Sequence, residues 1–348
     1  MLKPEELTFI TQSLGLPHPL NIIKPLGGGD VNSAYQATCG STRYVVKTIN
    51  KAKYVQDYAV ELEKLMESLR FSEQIASQLS GTGHVMSAYF AFEDCLVQTA
   101  NDLILLYPQL DAVVRENQDL SSSHVRQVAA FLAQLHRSSL QFNEALAQEK
   151  LTVYKQIGEK IITLSVWDKL SFCTHPSYFF PKINTLSTYL VTHRDPLLKA
   201  LNALKGTVLC HNDLKPKNVL WENNHFWVVD WETAGLFDQT ADYLDTLLAW
   251  CTVYDKRGVS LDETKLQAFM ETYPLPTQSP LLESLSIVLI KWYFWLAFCL
   301  NKLMTNPRKF KNNLWHIRYS IQFICFLMDG AVISRIEKKG NPKVCNPD

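Results

Sequence analysis

The chain lacks the features that mark a specialised environment. None of its eight cysteines (39, 95, 173, 210, 251, 299, 325 and 345) forms a CxxC pair, so metal-ligand spacing is missing. At 348 residues the chain is also too long to need a disulfide framework, and reduced thiols in a cytoplasmic protein are expected. There is no excess charge: 34 Lys+Arg against 34 Asp+Glu leave no electrostatic footprint for nucleic acid. The short basic run at 307–311 reads as a solvated helix end. The start, MLKPEELTFI, has two glutamates and no apolar core segment, so no secretory signal is expected. Internal repeats and low-complexity segments are absent. One long apolar run stands out, Leu281–Leu300, but Lys291 at its middle would cost about 2.5–3.5 kcal/mol in a bilayer. A buried helix, not a membrane span, is the expectation there. What is present, 47% hydrophobic and 20% charged residues, is the composition of a soluble globular chain.

The apolar pattern changes period along the chain. After a short amphipathic helix at 4–15, Asn21–Leu26, Ser33–Thr38 and Arg43–Ile49 read as strands, with Val45, Val46 and Ile49 β-branched and Gly40-Ser41 as a turn. From Tyr58 to Leu79 the period is helical, with Leu62, Leu65, Met66 and Leu69 recurring. Ser87–Phe92 and Leu103–Tyr107 read as strands again, with Cys95–Thr99 as a third piece, before Pro108. His124–Leu140, Asp242–Tyr254, Leu261–Tyr273, Leu281–Leu303 and Leu314–Ile336 read as helices. The pattern predicts an α+β protein in two lobes. Residues 1–108 would form an antiparallel five-stranded sheet with one helix, and 109–348 a mainly helical lobe.

The chemistry concentrates in HNDLKPKNVL, which begins at His211, and VVDWE, which ends at Glu232. Together they place Asp213, Asn218 and Asp230 within eighteen residues on a strand–turn–strand hairpin. HxDxxxxN alone is often an ordinary turn. Followed by VVD, and preceded by a small sheet-rich lobe, it matches the layout of phosphoryl transfer. Asp213 is then the candidate base that orients the attacking hydroxyl. Asn218 and Asp230 are hard-oxygen ligands suited to Mg²⁺ bridged to the phosphates of ATP. Lys47, ending the strand YVVK, would reach the α- and β-phosphates. Glu63 on the following helix is its expected ion-pair partner; Glu61, about 200° around that helix, is the alternative. The turn Gly27–Ser33 is glycine-rich without being GxGxxG, and the Gly28 backbone and Ser33 hydroxyl are candidate phosphate contacts. His211 is expected to brace the loop. Lys215 either touches the γ-phosphate or is solvated.

With these residues in place the chain resembles the aminoglycoside phosphotransferase and choline kinase superfamily. The resemblance rests on GGxxN (Gly28–Asn32), YVVK, VELEK (Val60–Lys64), VAAFLAQLH (Val128–His136), HNDLKPKNVL and VVDWETAG. It implies a protein-kinase-like two-lobed fold, ATP and Mg²⁺ as cofactors, and a small-molecule hydroxyl acceptor. Asp-Trp-Glu stands where protein kinases have Asp-Phe-Gly, and no APE motif follows, which makes a protein kinase the weaker reading. Within the superfamily, choline and ethanolamine kinases look most similar. Asp242, Trp250 and Tyr254 stand at positions comparable to theirs, and Phe294-Trp295-Leu296-Ala297-Phe298 resembles their FWxxW, with Phe298 in place of the second tryptophan. The resemblance implies an acceptor site formed by Asp213, Glu232, Trp250, Tyr254, Trp295, Phe298 and either Trp315 or Tyr319. Its rings would box a quaternary ammonium, although rings at helical spacing also serve as ordinary core. Aminoglycoside, thiamine or sugar acceptors remain alternatives, as does a catalytically inactive binding module.

Overall fold

The computed structural model describes residues 2–28, 32–58, 60–171, 182–255, 258–305 and 310–340. In chain order the elements are α1 (Pro4–Ser13), β1 (Leu20–Gly28), β2 (Asn32–Cys39), β3 (Thr42–Asn50), α2 (Lys51–Tyr58), α3 (Leu62–Leu79), β4 (Leu96–Gln98), β5 (Asp102–Pro108) and β6 (Val113–Val114). The helices α4 (Ser122–His136), α5 (Glu144–Ile162), α6 (Ser165–Ser171), α7 (Ile183–Thr192) and α8 (Arg194–Ala203) follow. Next come β7 (Val208–Cys210), β8 (Val219–Glu222), β9 (His225–Val228), β10 (Gly235–Phe237), α9 (Gln239–Cys251), β11 (Thr252–Asp255) and β12 (Gly258–Leu261). The chain continues through α10 (Glu263–Thr272), α11 (Leu281–Thr305), α12 (Phe310–Met328) and α13 (Gly330–Gly340). These elements form two compact units. The first comprises Met1–Arg115, Leu140–Leu146 and Lys217–Ala234; the second comprises Glu116–Ser139, Ala147–Pro216 and Gly235–Asp348. The fold is α+β and kinase-like.

In the first unit, five antiparallel strands run in the order β1-β2-β3-β5-β4. Pro25 is tolerated because β1 is an edge strand and its register shifts on either side of that residue. The β2–β3 turn needs Gly40: its φ is +58°, and an added Cβ would lie 2.7 Å from the His18 ring. Side chains alternate between the two faces of the sheet. Val46, Ile104 and Leu106 pack with Ile10 and Leu14 of the α1 segment. Ile49, Leu103 and Leu105 pack on the other face with Leu65 and Leu69 of α3. Both faces are therefore covered, and Leu103–Leu106 reads as a continuous apolar run. Lys47 shares the parity of Ile49, which turns it toward the α3 face.

Two expectations change here. Ser87–Phe92 is not a strand, and the fifth strand is supplied by Leu96–Gln98. Its backbone N–H groups have scattered partners instead of a ladder: Ala88 donates to the Glu73 carboxylate and Tyr89 to the Leu106 carbonyl, while Met86 just before it donates to the Val228 carbonyl. The one helix expected in this lobe, at Tyr58–Leu79, is α3, which starts at Leu62, and a second short helix that was not expected, α2 at Lys51–Tyr58, precedes it. A smaller sheet, β6-β8-β9, completes the first unit and carries the hairpin that presents Asn218 and Asp230.

The second unit is mainly helical, with two-stranded pairs β7/β10 and β11/β12. Helix α11 is, among the described residues, the one helix long and apolar enough to cross a membrane. It packs instead against α8, α9 and α12. Its Tyr293 donates to the Leu186 carbonyl and meets the buried Trp167 ring edge-on at 5.7 Å. The helix expected to reach Tyr254 stops at Cys251, so Tyr254 lies on β11. The long helix expected at Leu314–Ile336 is bent by 62° between α12 and α13.

Candidate active site

In the first unit the site is built on β3, α3 and the β8–β9 hairpin. The Lys47 ammonium lies 2.7 Å from Asp230 Oδ1 and also pairs with Glu232. Burial alone would lower the Lys47 pKa, but the Glu232 and Asp230 carboxylates outweigh it and hold the ammonium above its ordinary value. Asp230 adopts a left-handed backbone (φ 65°, ψ 58°), the cap of the short turn Trp231–Thr233. Such a conformation is uncommon for a non-glycine residue and costs about 1–3 kcal/mol. The turn is held on both sides. Trp231 is buried and its indole N–H donates to the Val228 carbonyl, while Ser72 of α3 donates to the Glu232 carbonyl.

Asn218 ends the short turn Pro216–Asn218 and is buried. Its carbonyl accepts from the Val229 N–H at 3.0 Å, continuing the β8–β9 ladder by one rung. Asn218 and Asp230 thus flank the open end of one hairpin. The pair offers an amide and a carboxylate, hard oxygens that fit Mg²⁺. Gly28 ends β1 opposite Ser33, whose carbonyl accepts from Thr48; residues 29–31 of that turn lie outside the described residues.

The helix carboxylate near Lys47 is not the expected one. Glu63 is exposed in the first turn of α3, and Glu61 is exposed at its cap. The buried acid of α3 is Glu73, which accepts from the Tyr107 hydroxyl at 2.6 Å and the Ala88 N–H at 2.7 Å. Burial raises the Glu73 pKa, against the pull of those two donors and of Lys47. Glu232, assigned from the resemblance to the acceptor, is instead a partner of Lys47 and accepts from the Asn32 amide.

In the second unit, β7 delivers the loop His211–Pro216. Asp213 lies 2.8 Å from the Lys215 ammonium, and its own N–H donates to His211 Nδ1. His211 is fully buried, as a bracing residue should be. Lys215 is not simply solvated: besides Asp213, it sits 5.6 Å from the centre of the Trp292 ring. Burial works to lower its pKa, and Asp213 and Asp245 reverse that, so it stays charged.

Three side chains hold the loop from beneath. Asp242 accepts the Asn212 N–H at 3.1 Å, Lys291 donates to the Asn212 carbonyl at 2.6 Å, and the Trp250 indole donates to the Leu214 carbonyl at 2.9 Å. Trp250 is 0% exposed, so it serves the loop from within the core rather than forming a wall of an acceptor cage. Asp242 is also bonded to His136 at 2.9 Å. Burial would raise the Asp242 pKa, but the His136 hydrogen bond and nearby positive charge bring it below its ordinary value. His136, Cys210 and Asp242 place three ligand-type atoms within 4.8 Å. Both imidazole nitrogens are already engaged, one by the Tyr273 hydroxyl and one by Asp242, and burial pushes the Cys210 thiol far up. The cluster braces the loop.

The remaining aromatics fall into two groups. Tyr254 meets Tyr319 edge-on at 5.1 Å and Trp315 at 6.3 Å, and Trp315 stacks on Tyr319 with 2° between planes. Trp292, which the resemblance did not single out, joins this group through Tyr319 at 5.6 Å. Trp295 stacks on Phe298 at 5.5 Å and reaches the first group through His316. Tyr254 and Trp315 are 38% and 51% exposed, enough for a ligand to cover their faces.

Against known proteins, the model of the phosphotransferase enzyme family matches residues 22–274. No curated protein matches the sequence. Among solved structures, a spectinomycin phosphotransferase in complex with ADP and spectinomycin superposes with a TM-score of 0.59 at 16% identity, covering 93% of this chain and 98% of that one. Choline kinase LicA from Streptococcus pneumoniae gives 0.53 at 16% identity, covering 90% and 99%. A choline/ethanolamine kinase family protein from Mesorhizobium loti gives 0.55 at 16% identity, covering 97% and 98%.

Proposed function

We propose that this chain, which belongs to the phosphotransferase enzyme family, transfers the γ-phosphate of ATP to the hydroxyl of a small amino alcohol of the choline or ethanolamine type. The observation that carries the acceptor is the ring group Tyr254, Trp315, Tyr319 and Trp292, with the Lys215 ammonium over Trp292. A cation over such rings gains about 0.5–2 kcal/mol per contact. Partly exposed faces at Tyr254 and Trp315 leave room for a second cation, and the two solved choline-type kinases supply a precedent for that class of acceptor.

The chemistry follows from the loop. Asp213 orients the acceptor hydroxyl and takes its proton as the oxygen bonds to the γ-phosphorus. The bond to the bridging oxygen breaks and ADP leaves. Lys215, paired with Asp213, is a fixed positive charge next to the base. Lys47 brings its ammonium to the nucleotide phosphates, and Asn218 and Asp230 would hold Mg²⁺, which neutralises charge on the phosphates when bound.

The test is an ATP-consumption panel with choline, ethanolamine, related amino alcohols, thiamine and aminoglycosides. Turnover above background on an amino alcohol supports the reading. If every amino alcohol leaves the background unchanged while another acceptor is phosphorylated, the acceptor class is wrong and the family assignment stands.

A further inference from the structure

A lone lysine in the middle of a twenty-residue apolar run calls for a physical reason, because an unpaired buried charge is strongly unfavourable. Lys291 lies in the middle of α11, its side chain 18% exposed, and has two partners: the Asp245 carboxylate at 2.6 Å and the Asn212 carbonyl at 2.6 Å. Asp245 is 4% exposed and stands three residues after Asp242, so both acids lie on one face of α9. Asp242 accepts the N–H of the same Asn212. Asn212, immediately before Asp213, has a left-handed backbone with φ of 63°. Both of its backbone polar groups are therefore held by side chains, one by the buried Asp242 and the other by a half-buried lysine that Asp245 orients.

We propose that Lys291, oriented by Asp245, is a positioning residue: with Asp242 it clamps the Asn212 peptide in its left-handed conformation and so aims Asp213. The proposal rests on the reading of Asp213 as the base. A left-handed asparagine relaxes readily to commoner backbone regions when its hydrogen bonds are removed. Such a relaxation rotates the following peptide and moves the Asp213 carboxylate. A misplacement of about 1 Å is enough for a rate loss of about 100-fold. Trp250, which holds the Leu214 carbonyl, restrains the far side of Asp213.

The experiment compares the full chain with Lys291→Met, Lys291→Met combined with Asp245→Asn, and Lys291→Arg. Amide hydrogen exchange is followed for the peptide spanning 209–216 and for peptides of α9 and α11. It needs no acceptor, so it reads the clamp whatever the outcome of the substrate panel. Lys291→Met should lower melting temperature because Asp245 is left unpaired, and the double variant should recover much of that loss. In both, exchange over 211–215 should rise about tenfold or more while α9 and α11 stay within about threefold. Lys291→Arg should restore part of the loop protection. With any acceptor that the panel yields, the double variant should lose about 100-fold in kcat with KM for both substrates nearly unchanged. The proposal is overturned if the double variant keeps wild-type loop protection, or if exchange rises uniformly through α9 and α11. Loss of a cooperative melt in the double variant would equally show that Lys291 serves the fold at large.

Discussion

Replacing Asp213 with asparagine keeps the shape of the side chain and removes its capacity to take a proton. General-base assistance contributes about 10²–10⁴ to rate, so turnover in Asp213→Asn should fall by that range. Melting temperature and its upward shift with ADP should be kept, because Lys47, Glu73 and Asp230 are untouched; loss of the ADP shift would argue that Asp213 serves nucleotide binding instead. Two other buried carboxylates should leave opposite marks on stability against pH. Glu73 has its pKa raised by burial above the ordinary 4.5. The folded state then binds the proton more tightly than the unfolded one, so its contribution is complete below pH 4.5 and is lost as pH rises through the folded value. Asp242 is held below the ordinary 3.8 despite burial. Its contribution is present above pH 3.8 and is lost as pH falls through the folded value. Melting curves of wild type, Glu73→Gln and Asp242→Asn across about pH 3 to 7 check both signs. The gap to Glu73→Gln should narrow as pH rises, and the gap to Asp242→Asn should narrow toward the acid end.

At the scale of the element, α3 shows what was legible and what was not. Its stripe Leu62, Leu65, Met66 and Leu69 was readable in the sequence; carried one turn further it passes through Glu73, four residues after Leu69. Spacing from Lys47 points to Glu63, whereas the buried face of the helix points to Glu73. Leu69→Ala should therefore cost about 2–5 kcal/mol in denaturant unfolding, whereas Glu63→Gln should stay within about 0.5 kcal/mol. Comparable losses in the two variants would contradict the assigned face. The β8–β9 hairpin was legible because its alternation and its two flanking polar residues are local. Ser87–Phe92 departs from its strand pattern because its N–H groups have scattered partners, the Glu73 carboxylate for Ala88 and the Leu106 carbonyl for Tyr89. Trp250 shows the same limit: an indole on a helix declares its size, while only the packed structure shows the Leu214 carbonyl that it serves. Lys291 is conspicuous in the sequence because nothing apolar around it can neutralise it, while its partners Asp245 and Asn212 emerge only in the fold.

At the scale of the whole molecule, the thiols report on the integrity of both units. Cys39, Cys95, Cys210, Cys251 and Cys299 are buried and unpaired, and burial pushes Cys95 and Cys299 up to about 12. Few thiolates are accessible, so these five should resist iodoacetamide in the native protein and react on denaturation, as mass spectrometry of labelled peptides would show. Rapid native labelling of Cys95 or Cys210 would contradict the packing described. The path of the chain has a further consequence, for synthesis. The first unit is not complete at Arg115: it needs Lys217–Ala234, and α3 packs on the turn Trp231–Thr233. A ribosome adding about 5–20 residues per second spends roughly 6–24 seconds between those points. Throughout that interval the nascent sheet exists without the hairpin that holds Lys47, and the side of α3 that packs on Trp231–Thr233 is bare. Chaperone occupancy on stalled nascent chains should accordingly persist past residue 115 and fall only once residue 234 has left the exit tunnel.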